Sequence, residues 1–185
     1  MNIIALTKRN RWICFLAVAL AMASCNRQTV YSHYEPIATE GWERNDSICF
    51  VMADISEEGV YSQTVGLRAD NAYPYKNLTL IVCTEVWRRE EGERRKKEGE
   101  RRKKEGERGK EDGEWRLDTL NFQITDDDGN ILGSGINHYQ YEMTLPSITL
   151  HRGDSLRMSV SHLMRRECLP GITDLGYTAR LKSEE

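Results

Sequence analysis

Few side chains in this sequence have the types and the spacing that catalysis or metal binding requires. The four histidines have no partner at ligand spacing; they are His33, His138, His151 and His162. No Gly-x-Ser-x-Gly elbow and no Cys-x-x-Cys pair is present. Glu142 and Asp174 form a carboxylate pair only in the sense that any two acids of an acidic domain do. We therefore expect a protein that is not an enzyme, with no catalytic residue, metal, cofactor or small-molecule substrate.

Cys25 is the residue whose position points to a specific reaction. A positive start and an apolar run of 11 residues lead into it; they are Lys8, Arg9, Arg11, Trp12 to Met22, and Ala23-Ser24-Cys25. This order is that of a secretory signal, and the run is shorter than the roughly 20 residues of a membrane-spanning helix. The segment resembles a lipobox, in which the Cys25 thiol takes a diacylglycerol thioether. After cleavage, its new amino group takes an acyl chain such as palmitate. The alternative is a soluble protein whose signal ends near a cysteine by chance.

Residues 91–111 carry a charged seven-residue repeat that reads EGERRKK, EGERRKK, EGERGKE. A coiled coil is excluded because no position of the repeat is apolar. From Arg88 to Glu114 there are 12 basic and 10 acidic residues, a net charge of +2, which with no aromatic stacking groups argues against nucleic-acid binding. We expect residues 89–113 to be a solvated, frayed or disordered insertion at a hairpin tip.

Outside the repeat, apolar residues alternate over short segments, which predicts half-buried strands. The segments include those around Phe50, Val65, Leu80, Phe122, Tyr141, Met158 and Tyr177. Turn residues separate them, and only 161–167 has a brief helical pattern. This favours an all-β chain that forms an antiparallel β-sandwich. We expect a signal peptide at 1–24, a lipidated tether at 25–45 and a single sandwich domain at 46–185.

Three cysteines of the mature chain are left without an assigned role, namely Cys49, Cys83 and Cys168. Their odd number and irregular spacing do not make a disulfide framework. One disulfide with a free thiol and three reduced cysteines both stay open.

Motifs along the mature chain together resemble the GldH family of gliding-motility lipoproteins from Bacteroidetes. The matching residues are Tyr31, Tyr34, Gly41-Trp42, Phe50, Arg68, Tyr73-Pro74-Tyr75, Asn77-Leu78, Asp118-Thr119-Leu120, Asp128-Gly129, Gly133, Gly135, Met164-Arg165, Leu169, Gly171-Ile172, Asp174 and Gly176. The charged repeat has no counterpart in the family pattern, and Ala69 stands where a larger polar residue is expected. The resemblance implies an outer-membrane lipoprotein that supports the gliding apparatus and the linked type IX secretion machinery through protein partners. Residues 26–30 carry no acidic cluster of the kind that resembles a surface-export signal, so we expect the periplasmic face.

Three amphipathic aromatic residues are candidates for docking a partner: Trp42, Tyr73 and Tyr75. Such side chains are enriched at interfaces. The alternative is that they pack at the edge of the sandwich.

A second function from a different class also fits a tethered sandwich. A glycan-binding outer-membrane lipoprotein of a nutrient-uptake system would have the same anchor and exposed aromatic residues. Protease shaving of intact cells separates the two, because a glycan receptor must be exposed at the cell surface whereas a periplasmic protein is protected.

Overall fold

The computed structural model of the protein describes residues 29–88 and 114–182. All secondary-structure elements in these residues are β-strands, which confirms the all-β class that the alternating apolar residues predict. Within the same residues, no helix is long and apolar enough to cross a membrane.

The first sheet contains five antiparallel strands: β1 (Thr29–Pro36), β4 (Gly59–Asp70), β7 (Ser134–Gly135), β8 (His138–Leu150) and β11 (Ile172–Leu181). Across the sheet they follow the order β1-β11-β4-β8-β7. Beyond Gln140 the outer edge of β8 has no neighbouring strand among the described residues.

The second sheet contains four antiparallel strands: β3 (Ile48–Met52), β5 (Asn77–Trp87), β6 (Glu114–Gln123) and β9 (Ser155–His162). Their order is β3-β9-β5-β6. β2 (Trp42–Glu43) and β10 (Cys168–Leu169) pair with each other as a separate, antiparallel two-stranded ribbon.

The core lies between the two sheets, and the alternating residues fill it. In β5 and β9 every second residue is fully buried, namely Leu78, Leu80, Val82, Leu156, Met158 and Val160. Phe50 of the second sheet lies 6.0 Å from Tyr177 of the first, ring centroid to ring centroid. Since burying one such side chain contributes about 1.5–3 kcal/mol, this shared layer is what holds the sheets together. The predicted antiparallel sandwich is thereby confirmed.

The charged repeat joins two strands that pair along their whole length. The pairing of β5 with β6 ends with Val86 opposite Glu114, so the insertion does stand at a hairpin tip. Arg88 closes the base of this hairpin: its Nη2 donates to Glu114 Oε2 at 3.1 Å and its Nη1 to Asp154 Oδ2 at 2.6 Å. Residues 89–113, and with them the expected disorder, lie outside the described residues.

The short helix expected at 161–167 is wrong. β9 continues through His162, and the Leu163 amide then donates to the Thr79 carbonyl at 2.9 Å. Pairing with β5, rather than the weak helical pattern of the segment, therefore determines its conformation.

The tether expected at 25–45 also differs from the structure. Residues 29–36 form β1 and pair with β11, with an irregularity between Thr29 and Tyr31, and Trp42 belongs to β2. Backbone hydrogen bonds to the edge of the first sheet account for this, because they need no strong apolar pattern in the sequence. The sheet thus begins only four residues after Cys25.

Candidate functional site

Two of the three aromatic residues expected to dock a partner are part of the core. Trp42 is 2% exposed, its indole Nε1 donates to the Asp46 carbonyl at 3.3 Å, and its ring meets His162 edge-on at 5.4 Å. Tyr73 is 8% exposed, and its hydroxyl donates to the Asn77 carbonyl at 2.9 Å. Burial raises the pKa of Tyr73. Both side chains are satisfied inside the fold and offer no free face.

Tyr75 is the half-buried member of the set and packs edge-on against Tyr73 at 5.7 Å. The geometry fits the alternative in which these residues pack at the edge of the sandwich, and docking of a partner by Trp42, Tyr73 and Tyr75 stays a prediction. Cys25, the expected lipidation site, lies outside the described residues.

A different cluster occupies the outer face of the first sheet. Tyr34 of β1 stands in one row with Gly176 of β11 and Gly66 of β4. A methyl group built on Gly176 would lie 2.5 Å from the Tyr34 ring, and one built on Gly66 would lie 2.9 Å from its Cζ. Only glycine leaves room for the ring, so the tyrosine lies flat across two neighbouring strands.

Arg68 covers the other side of this tyrosine. Its guanidinium carbon is 4.3 Å from the centroid of the Tyr34 ring, within the range of a cation–π contact. Asp174 lies 4.0 Å from an Nη of Arg68, and Glu142 follows Gly66 in the row. Burial raises the pKa of Tyr34, the negative charge of Glu142 raises it further, and Arg68 opposes the shift. We call Tyr34, Gly66, Arg68, Glu142, Asp174 and Gly176 the tyrosine platform.

The chemistry of the platform suits recognition. The guanidinium is partly exposed and makes one long ion pair, so most of its donors stay available. Tyrosine and arginine are the residue types that dominate binding energy at protein interfaces. Their positions are fixed by the glycines and by stacking, which reduces the entropy lost on binding.

Sequence reasoning missed this site although its members were in view. Tyr34, Arg68, Asp174 and Gly176 are among the residues that resemble the GldH family. A usable signal was the glycine inside each of two strand patterns, since a mid-strand glycine marks a close approach. The other half of the signal, the pairing of these strands, is not contained in any single segment.

Other groups in the described part of the chain give no sign of a reaction centre. No group of three or more histidine, cysteine or acidic residues within 29–88 and 114–182 could hold a metal ion. Cys49, Cys83 and Cys168 are free thiols, which resolves the two alternatives in favour of no disulfide between them. Asp154, in the turn between β8 and β9, is buried against Arg88.

Comparisons with known proteins cover most of the chain. Residues 29–100 and 105–178 match the family model described as GldH lipoprotein. The chain is 23% identical over 181 residues to "Gliding motility lipoprotein GldH" of Flavobacterium johnsoniae, covering 94% of this chain and 98% of that protein. It is 24% identical over 172 residues to "Gliding motility lipoprotein GldH homolog" of Christiangramia forsetii, covering 88% and 90%. Among solved structures, tripeptidyl peptidase 2 aligns at a TM-score of 0.41 and 9% identity, over 83% of this chain and 10% of that one.

Proposed function

The chain belongs to the GldH lipoprotein family, and on this premise we propose that it is a lipid-anchored protein that supports gliding motility. In the proposal, Cys25 carries the lipid, and the sandwich stays at the periplasmic face of the outer membrane. There it binds other proteins of the gliding apparatus and of the linked type IX secretion machinery. It contributes position and binding, with no catalytic step of its own.

One observation carries the proposal. The relative named gliding motility lipoprotein aligns with this chain over 98% of its own length, so its whole domain has a counterpart here. The lipobox-like segment before Cys25 supports the anchor, because several acyl chains hold a protein firmly on a membrane. The tyrosine platform supports binding, because it is pre-organised and uses residue types that are enriched at interfaces.

The anchor is tested by metabolic labelling with an alkyne analogue of palmitate. We expect the wild-type protein to be labelled and to sediment with outer membranes, and Cys25→Ala to lose both properties. Cys49→Ala is the matched control, because Cys49 is an exposed thiol outside the core. Labelling that survives in Cys25→Ala would contradict acylation at this residue.

The motility role is tested by complementation in a gliding bacterium from which its own family member has been deleted. Arg68→Ala should fail to restore spreading while its abundance in the membrane stays at the wild-type level. Arg152→Ala serves as control, because Arg152 is an exposed arginine at the other end of the domain. Full motility with Arg68→Ala would remove the tyrosine platform from the proposal and leave the anchor intact.

Substitution of Tyr73 should affect the abundance of the protein, unlike substitution of Arg68 in the tyrosine platform. Tyr73→Ala is expected to lower the amount of folded protein, because it opens a cavity in the core. Loss of partner binding at unchanged abundance would instead restore Tyr73 and Tyr75 as a docking face.

A further inference from the structure

Residues 124–137, which we call the distal loop, are held in place by several independent contacts. The Leu132 amide donates to the Ile124 carbonyl at 3.0 Å, and the Tyr141 hydroxyl donates to the same oxygen at 3.2 Å. A methyl group on Gly133 would lie 2.5 Å from Cζ of Tyr141, so the loop backbone lies directly against that ring. The pairing of β7 with β8 fixes the end of the loop.

The turn inside the distal loop is fixed as well. Asp126 Oδ1 accepts a hydrogen bond from the Asn130 amide at 2.7 Å, and Oδ2 accepts one from its side chain at 2.8 Å. These hydrogen bonds lower the pKa of Asp126, so the turn keeps a negative charge. These hydrogen bonds and packing contacts therefore hold the distal loop in one conformation.

This fixed loop presents aliphatic side chains to solvent. Ile136 is 86% exposed, and Ile131 and Leu132 are exposed too. Single apolar residues on a surface are ordinary, but three within six residues of one loop concentrate exposed apolar surface, which is a feature of contact sites. The contacts that hold the loop leave these three side chains without a core to fill.

The distal loop is continuous with the tyrosine platform. Asp174, Arg68, Gln140 and Ser134 form one row across four strands of the first sheet, from the platform to β7. One partner can therefore touch the platform and the loop together. Carboxylates outnumber cations in the platform and the distal loop. Together with Lys76, which pairs with Asp127, these two regions have a net charge of −3, from the charged residues Asp126, Asp127, Asp128, Glu142, Asp174, Arg68 and Lys76.

The short link to the anchor sets which end of the domain faces the membrane. Three residues separate Cys25 from Thr29, so the four Cα–Cα steps between them reach at most about 14 Å. The register of the first sheet puts Thr29 at the end that holds Thr149, whose carbonyl accepts from Arg88 at the base of the β5–β6 hairpin. β6 runs ten residues from that end, so the distal loop begins roughly 30 Å away.

We propose that the domain stands with its β1 end on the membrane and inserts Leu132 and Ile136 of the distal loop into an apolar groove of a partner protein. Basic side chains border that groove, because they complement the net negative charge around the loop. The inference rests on the proposed function for the lipid at Cys25 and for the existence of a partner. It adds the contact site and the chemistry of the surface that the partner presents.

Photocrosslinking in native membranes tests the inference with the full-length protein. The photoreactive residue p-benzoylphenylalanine replaces Ile136 in one variant and Val60 in the matched control, because Val60 is an exposed aliphatic residue at the membrane end. We expect position 136 to crosslink to a protein peptide that is apolar and flanked by Lys or Arg. Position 60 should give no protein crosslink of that kind.

A second change in the same protein shows whether the crosslink reports the proposed contact. Leu132→Asp and, separately, Arg68→Ala should each reduce the yield from position 136 by at least about tenfold, as expected for central contacts. A crosslink to lipid or to a second copy of this chain, an unchanged yield in Leu132→Asp, or no crosslink would each overturn the inference. Palmitate labelling in the same samples separates the two proposals, because its loss contradicts the anchor, whereas its presence without the crosslink contradicts only the docking site.

Discussion

The Tyr34 ring lies against Gly66 and Gly176. We therefore predict that the effect of Gly66→Ala on stability changes sign when Tyr34 is replaced by alanine. Alanine in place of a mid-strand glycine normally stabilises by about 0.5–1 kcal/mol, because the unfolded chain loses freedom. In the wild-type protein, however, the methyl group of Gly66→Ala would lie 2.9 Å from Tyr34 Cζ, against the roughly 3.5–4.0 Å of a normal contact. The ring must move outward by about 1 Å and weaken its stacking on Arg68, which contributes about 0.5–1 kcal/mol at an exposed site.

The two effects give a quantitative expectation for a double-mutant cycle. Gly66→Ala should leave the free energy of unfolding unchanged or lower it by up to about 1 kcal/mol in the wild-type background, by the terms above. In the Tyr34→Ala background it should raise that free energy by about 0.5–1 kcal/mol, so the coupling is roughly 0.5–2 kcal/mol.

The assay is urea unfolding of the full-length protein in detergent, followed by tryptophan fluorescence. Gly176→Ala, which meets the same ring from β11, should show a coupling of the same sign. If Gly66→Ala changed the stability equally in both backgrounds, the ring would not be seated on the glycines, and the platform would lose its physical basis.

Three further predictions concern buried polar groups. Asp154→Ala removes an acceptor for Arg88 and should lower the free energy of unfolding, measured in urea, by roughly 2–3 kcal/mol. This loss is smaller than that for a fully buried pair, because the Arg88 side chain is 27% exposed and keeps its ion pair with Glu114. No change would mean that the pair of Arg88 with Asp154 is not formed. Burial lowers the pKa of His162, so its neutral form stabilises the fold above a pH of about 6.5, and this stabilisation is lost as the pH falls through the lowered folded-state pKa. The free energy of unfolding, measured between pH 5 and 8, should therefore rise with pH, and His162→Gln should reduce that slope. An equal slope in both proteins would contradict this. The buried Thr84 hydroxyl has no hydrogen-bond partner among the residues that the structure describes, so Thr84→Val should keep or raise the melting temperature. A clear decrease would reveal a bond to water.

The sandwich could be predicted from the sequence because each strand carries its own signal. Leu78, Leu80 and Val82 alternate with polar residues, and one segment suffices to show that one face is buried. The hairpin that carries the insertion follows from the same logic, since two such segments flank the charged repeat.

The platform and the true place of Trp42 could not be predicted in this way. Tyr34, Gly66 and Gly176 meet only because β1, β11 and β4 are neighbours in one register, and that register joins residues that are far apart in the sequence. Trp42 has the residue type of an interface anchor, but the ribbon with β10 and the ring of His162 bury it. Residue type sets what a side chain can do, whereas its exposure depends on distant partners.

The ion pairs of Arg88 with Asp154 and Glu114 have a practical consequence. They tie both ends of the charged insertion to the sandwich at one point, so a change in the length of that insertion need not disturb strand pairing. Copies of the seven-residue unit can then be gained or lost in evolution with little effect on the domain. The same position offers a permissive site for a fluorescent or affinity tag, at which the protein can be followed in living cells while the proposed binding surface stays untouched.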